Sequence, residues 1–166
     1  SDLTTLLKII MGLYNTSDSI FAMDDKRIPR LSSADVAYSS LDNSIFPMSV
    51  YDNITLGDGN ITKEQVKETL NQLGFSTWLE SLPEGIDTEV NENLSGGQKQ
   101  AIANARVILS RRSVLVLDEP FSALDEKKEK HLMDVLGNLI DSHFVVLVTH
   151  RNMKFIGPFK EHIVAL

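Results

Sequence analysis

At 166 residues and 42% hydrophobic, the chain can bury one core and is too short for two. Its net charge of −7 argues against non-specific nucleic-acid binding, which needs a basic surface, while leaving room for a local phosphate site. The lack of cysteine rules out disulfides and thiolate metal sites and fits a reducing compartment. No apolar run approaches the about 20 residues of a membrane-spanning helix and no signal peptide is recognisable, so membrane association is expected from other segments or another subunit.

Leu3, Leu6, Leu7, Ile10 and Leu13 recur at helical spacing and predict an opening helix that ends near Gly12. Ser19 to Met23 and Asp35 to Tyr38 read as short strands joined by the charged, proline-containing turn DDKRIPR. Thr62 is placed to cap a helix running to about Leu73, with Glu64, Lys67 and Glu68 outward and Val66, Leu70 and Leu73 inward. A short helix from Ser76 to Ser81 carries Trp78, which is expected to pack rather than to serve as a docking residue. Asn15, Asn53 and Asn60 head N-x-S/T sequons, which carry no weight in a cytosolic domain.

Residues 94 to 125 hold the chemistry. Leu94 to Gln98 reads LSGGQ, followed by Ala101, Ile102, Ala105, Ile108 and Leu109 at helical spacing, so a helix starts at the glycines. Ser95 and Gln98 fit a capping box. Gly96 and Gly97 equally leave backbone N–H groups bare at a helix N-terminus, where the peptide dipoles favour an anion such as phosphate. The two accounts are compatible. At a helix N-terminus an Asp at Gly97 is expected to be neutral to mildly favourable for folding, provided the backbone there does not require glycine.

Ser113 to Leu117 is a short apolar run that ends in Asp118, Glu119 and Pro120, the pattern of a buried parallel strand. Open α/β sheets place ligands at the C-terminal ends of such strands. One carboxylate there can hold Mg²⁺ while its neighbour orients or deprotonates an attacking water. The plainer alternative is a polar strand end. Asp125 can cap an amphipathic helix with Leu132, Val135, Leu136 and Leu139 on one face, and His131 is expected in solvent. A second apolar run, Phe144 to Thr149, leads into His150; His143 and His162 lack motif context, and Asn152 to Leu166 reads as a short helix, a turn and a final strand.

Taken together these motifs resemble the nucleotide-binding domain of ATP-binding cassette (ABC) proteins, through essentially the whole chain. LSGGQ is similar to the family signature, VLVLDE to the Walker B strand with its catalytic glutamate, Ser122 to Asp125 to the D-loop, and His150 to the switch histidine. TTLLKIIMGL resembles the helix after the phosphate-binding loop. Aligned there, the loop's glycine and lysine fall at Asp2 and Leu3, and Thr4 or Thr5 offers the hydroxyl that binds Mg²⁺. The Q-loop glutamine falls at Leu41, whose side chain can neither ligate a metal nor hydrogen-bond water. Ser44 to Ile54 matches the exporter pattern, and LPEGIDTEVNENLSGGQ resembles the exporters' approach to the signature, shortened between Glu89 and Leu94.

The resemblance implies a P-loop NTPase-like α/β fold over residues 1 to 166, with a mainly parallel sheet, a helical subdomain from about 49 to 94, and preceding strands missing by truncation. It implies ATP and Mg²⁺ as ligands, with Asp118 and Thr4 at the metal, Glu119 and His150 catalytic, and Thr4, Thr5, Ser95, Gly96, Gly97, Gln98 and Asp125 toward nucleotide. It further implies a second nucleotide-binding domain and a transmembrane domain or subunit as partners, no nucleic acid, and a place at the cytoplasmic face of a membrane. With Asp2 and Leu3 in the loop, the chain alone is expected to bind MgATP weakly and hydrolyse it negligibly. The alternative implied by Asp2, Leu3 and Leu41 is a catalytically degenerate module that donates LSGGQ in trans.

Overall fold

The computed structural model describes residues 21–23, 26–28, 33–39 and 44–149. The predicted opening helix and the tail from Asn152 lie outside the described residues, as do Asp2, Leu3, Thr4, Thr5, Leu41 and His150.

Strands β1 (Phe21–Met23) and β2 (Lys26–Ile28) form an antiparallel pair in which Phe21 meets Ile28. The segment DDKRIPR is therefore not simply a turn. Two residues between runs able to extend are enough for a hairpin, which local charge and proline content do not forbid. A 3₁₀ turn, Ser33–Asp35, then leads into β3 (Val36–Ser39).

The next stretch is mainly helical. Its two ends are tied by β4 (Met48–Ser49) and β5 (Glu89–Val90), an antiparallel pair too short to be seen as a pattern in the sequence. Between them lie α1 (Val50–Thr55), α2 (Lys63–Gln72), α3 (Ser76–Ser81) and a 3₁₀ turn at Gly85–Asp87. Thr62 caps α2 as expected. Its hydroxyl accepts from Gln65 N–H at 3.1 Å and Gln65 Oε1 accepts from Thr62 N–H at 2.8 Å, satisfying two donors of the first turn. Val66, Leu70 and Leu73 are buried, while Glu64, Lys67 and Glu68 are exposed. Trp78 is half-buried and meets Phe75 edge-on.

Helix α4 (Gly96–Ile108) carries the stretch that begins at LSGGQ, followed by β6 (Val114–Asp118), α5 (Glu126–Leu139) and β7 (Phe144–Val148). Strands β3, β6 and β7 form a parallel sheet in that order, with Tyr38 beside Val116 and Leu117 beside Leu147. The two apolar runs that end at Leu117 and Thr149 thus lie side by side. Strand β6 is buried on both faces, as a central parallel strand must be. Leu115 and Leu117 join the main core with Ile102, Ala105, Leu132 and Leu136, whereas Val114 and Val116 pack with Val148 on the other side.

His131 departs from its expected place in solvent: it is half-buried, and its ring covers Gly74 so closely that a β-carbon there would come within 2.9 Å of Cδ2. Among the described residues no helix is long and apolar enough to cross a membrane.

Candidate functional site

Strand β6 delivers Asp118 to the C-terminal end of the sheet, and Tyr38 on the neighbouring strand donates its phenolic O–H to Asp118 Oδ2 at 3.2 Å. Burial, followed by the charge and hydrogen bond of Asp118, pushes the Tyr38 phenol above its ordinary value of 10.0. The next residue turns sharply. Glu119 has φ +50°, a left-handed conformation that a residue with a β-carbon adopts only under constraint. One constraint is its own N–H, which donates to the Val148 carbonyl at 2.7 Å. The turn separates two consecutive carboxylates: Asp118 is half-buried beside Tyr38, and Glu119 is 8% exposed with Thr149 Oγ1 donating to its Oε2 at 3.3 Å.

Ser95 Oγ accepts from Gln98 N–H at 3.2 Å and Gln98 Oε1 accepts from Ser95 N–H at 3.0 Å, so the capping box forms. It occupies the cap and third-position donors. The first two N–H groups of α4, those of Gly96 and Gly97, fall outside the intrahelical ladder, and a helix N-terminus of this kind can receive an anion. Ser95 and Gly96 are exposed, and Gly97 and Gln98 half-buried.

Both glycines pack against the loop that follows β6. A β-carbon at Gly96 would meet Ala123 Cβ at 3.4 Å, and one at Gly97 would meet the Ala123 carbonyl oxygen at 3.2 Å. The second contact bears on the proviso attached to Asp at Gly97: the Ala123 carbonyl would have to give by a few tenths of an ångström, and whether it can decides the sign of the effect on folding. Gln100 and Asn104 fasten the same loop. Gln100 bonds Glu119, Ser122 and Ala123, and Asn104 Nδ2 donates to the Pro120 carbonyl at 3.2 Å. Asn104 Oδ1 is buried and meets no donor among the described residues. Asp125 caps α5, accepting Lys128 N–H at 2.9 Å, and that backbone hydrogen bond is the main cause holding its carboxyl below the usual range.

Of the residues named from the sequence, the structure brings together Gly96, Gly97 and the Glu119 loop, and sets Asp118 beside Glu119 in different surroundings. Thr4, Thr5 and His150 fall outside the described residues. Tyr38, Thr149, Gln100 and Asn104 were not singled out. The latter two leave a trace in the sequence, as amides four residues apart inside the apolar stripe of α4.

A Mg²⁺ ion fits the donors in chemical kind, since Asp118 offers hard carboxylate oxygen at a strand end. Such an ion takes one or two carboxylates and completes its shell with phosphate and water.

Residues 3–122 match the family model described as ABC transporter. The ATP-dependent lipid A-core flippase of Coxiella burnetii is 31% identical over 156 residues, covering 89% of this chain and 26% of the flippase. The mitochondrial ATP-binding cassette sub-family B member 10 of Mus musculus is 32% identical over 158 residues, covering 89% of this chain and 22% of that protein. In fold, the chain matches a bacterial Atm1-family ABC exporter solved with ATP bound, with TM-score 0.74 and 24% identity over 89% of this chain and 27% of that one. The chain thus spans about a quarter of the flippase and the exporter.

Proposed function

This chain belongs to the ABC transporter family, and from that premise we propose that it is the ATP-binding and ATP-hydrolysing domain of an exporter, coupling MgATP-driven dimerisation to transport of a substrate across a membrane. The observation that carries the proposal is the joining of two unlike sites by one loop. A helix N-terminus whose first two N–H groups fall outside the intrahelical ladder sits against the segment that begins with the buried Glu119.

In this reading Asp118 and a Thr4 or Thr5 hydroxyl would hold Mg²⁺, which would supply charge neutralisation on the β- and γ-phosphates. Glu119 orients the lytic water and takes its proton, a role served by a carboxylate that Thr149 and a fixed backbone hold in one place. His150 stabilises the transferring phosphoryl group. Ser95, Gly96 and Gly97, with Gln98 supporting the cap, face the γ-phosphate of nucleotide on a second such domain, and Asp125 lies toward the same interface. Residues from about 49 to 94 form the helical subdomain. The partners are that second domain and a transmembrane domain or subunit, at the cytoplasmic face of a membrane.

The test is ATP hydrolysis by the full-length protein. Glu119→Gln keeps shape and burial but removes the base, and should slow turnover at least about 100-fold while ATP binding persists. A variant that hydrolyses as fast as the parent would sink the proposal.

A further inference from the structure

Gln100 lies one turn along α4 from Gly96 and Gly97 and is 2% exposed. Its side-chain amide is spent on a single loop. Nε2 donates to the Glu119 carbonyl at 2.9 Å and to Ser122 Oγ at 3.2 Å, and Oε1 accepts the N–H of Ala123 at 2.8 Å. A glutamine used only to fill space would not need three bonds of defined direction. These three run from the residue whose backbone is left-handed to Ala123. Glu119 is gripped on its N–H side by Val148 and on its carbonyl side by Gln100. At the far end of the same grip, Ala123 lies beneath both signature glycines.

We infer that Gln100 is a positioning residue that holds Glu119 in its constrained orientation and locks the 119–123 loop to the helix presenting Ser95, Gly96 and Gly97. The carboxylate serving one nucleotide and the helix end offered to another then move as one body. Gln100 touches neither nucleotide nor water in this scheme; it acts through Glu119 and Ala123. The inference rests on the proposed function for its catalytic half.

Two variants of the full-length protein test it. Gln100→Met keeps side-chain volume and removes all three bonds. Gln100→Glu keeps the acceptor for Ala123 N–H but sets an oxygen against the Glu119 carbonyl. Hydrogen exchange in nucleotide-free protein should be faster in the Ala123 region by at least about tenfold for Gln100→Met, with the β6 amides unchanged. Steady-state hydrolysis should show kcat lowered at least about tenfold in both variants, with KM for ATP within about twofold of the parent, the pattern of a misaligned reacting group rather than lost binding. Unchanged exchange around Ala123, or parental kcat, would overturn the inference. A kcat deficit that disappears when the assay is cooled well below a lowered melting transition would also overturn it, since Gln100 would then act only on stability. Glu119→Gln, run alongside, separates the two proposals: if it turns over at the parental rate, the proposed function fails and takes the catalytic half of this inference with it.

Discussion

Replacing Gly96 by alanine sets the folding and ligand-binding roles of the LSGGQ turn against each other. Gly96 is the first residue of α4, and an added β-carbon would stand 3.4 Å from Ala123 Cβ, ordinary van der Waals contact. Alanine gains about 0.5 to 1 kcal/mol over glycine in a helix, with the lower end suited to a first-turn position. For a domain of this size that corresponds to a melting temperature raised by about 1 to 3 °C. If the bare N–H groups receive a partner's γ-phosphate, the same methyl crowds the approach, and hydrolysis by the full-length protein should fall at least about tenfold. Calorimetry of the nucleotide-free protein and a steady-state ATPase assay read the two effects separately. A Gly96→Ala variant that melts lower and hydrolyses normally would show that glycine is there for the fold, and the phosphate argument would be refuted. Gly97 is the weaker probe. Its β-carbon would sit 3.2 Å from the Ala123 carbonyl oxygen, so the sign of its effect on folding turns on whether that backbone can give by a few tenths of an ångström.

Asn53 is wholly buried; its Oδ1 accepts Phe46 N–H at 2.9 Å and its Nδ2 faces the carbonyls of Phe46, Met48 and Ser49, so Asn53→Ala should cost about 2 to 4 kcal/mol in denaturant unfolding. A loss below about 0.5 kcal/mol would contradict that accounting. Gly74→Ala combines a φ of +88° with a 2.9 Å approach to the His131 ring and should destabilise by about 1 to 2 kcal/mol; adding His131→Ala should recover the contact but not the backbone cost. The Glu92 carboxyl is held below its usual 4.5, first by Lys99 and then by Ile45 N–H, so its contribution to stability is present above that value and lost as pH falls through the lower, folded one. Glu92→Gln should therefore flatten the fall in melting temperature on acidification below about pH 4.5, and parallel profiles would reject the linkage.

What could be read from the sequence depended on how far away each residue's partner lies. Thr62 with Gln65, and Ser95 with Gln98, declare their helix starts within four residues, and the structure places both caps there. Val114 to Leu117 announces a buried strand because both faces must be apolar, whichever strands flank it. The strands β2, β4 and β5 carry no such mark. Each has two or three residues, and the pairing of Met48 with Val90 joins segments far apart in the chain. His131 looked solvated within its own helix; only the missing side chain of Gly74 makes room for its ring. At the site, the adjacency of Asp118 and Glu119 was visible, but not their divergence, because the left-handed turn between them depends on Val148 and Gln100.

That dependence explains why the helix cap and the phosphate site need not compete. The capping box takes the Ser95 and Gln98 N–H groups, while the donors of Gly96 and Gly97 fall outside the intrahelical ladder. Ser95 therefore belongs to both accounts at once, and removing its hydroxyl weakens the helix start and the proposed ligand site together. Gly96 and Gln100 differ in kind. At Gly96, stability and hydrolysis are expected to move in opposite directions. At Gln100, the amide leaves the core's apolar contacts untouched when it is replaced by methionine and removes only the grip on the Glu119 loop. The residues that can separate folding from chemistry here are those whose bonds cross from α4 to the 119–123 loop, and not those that close the helix on itself.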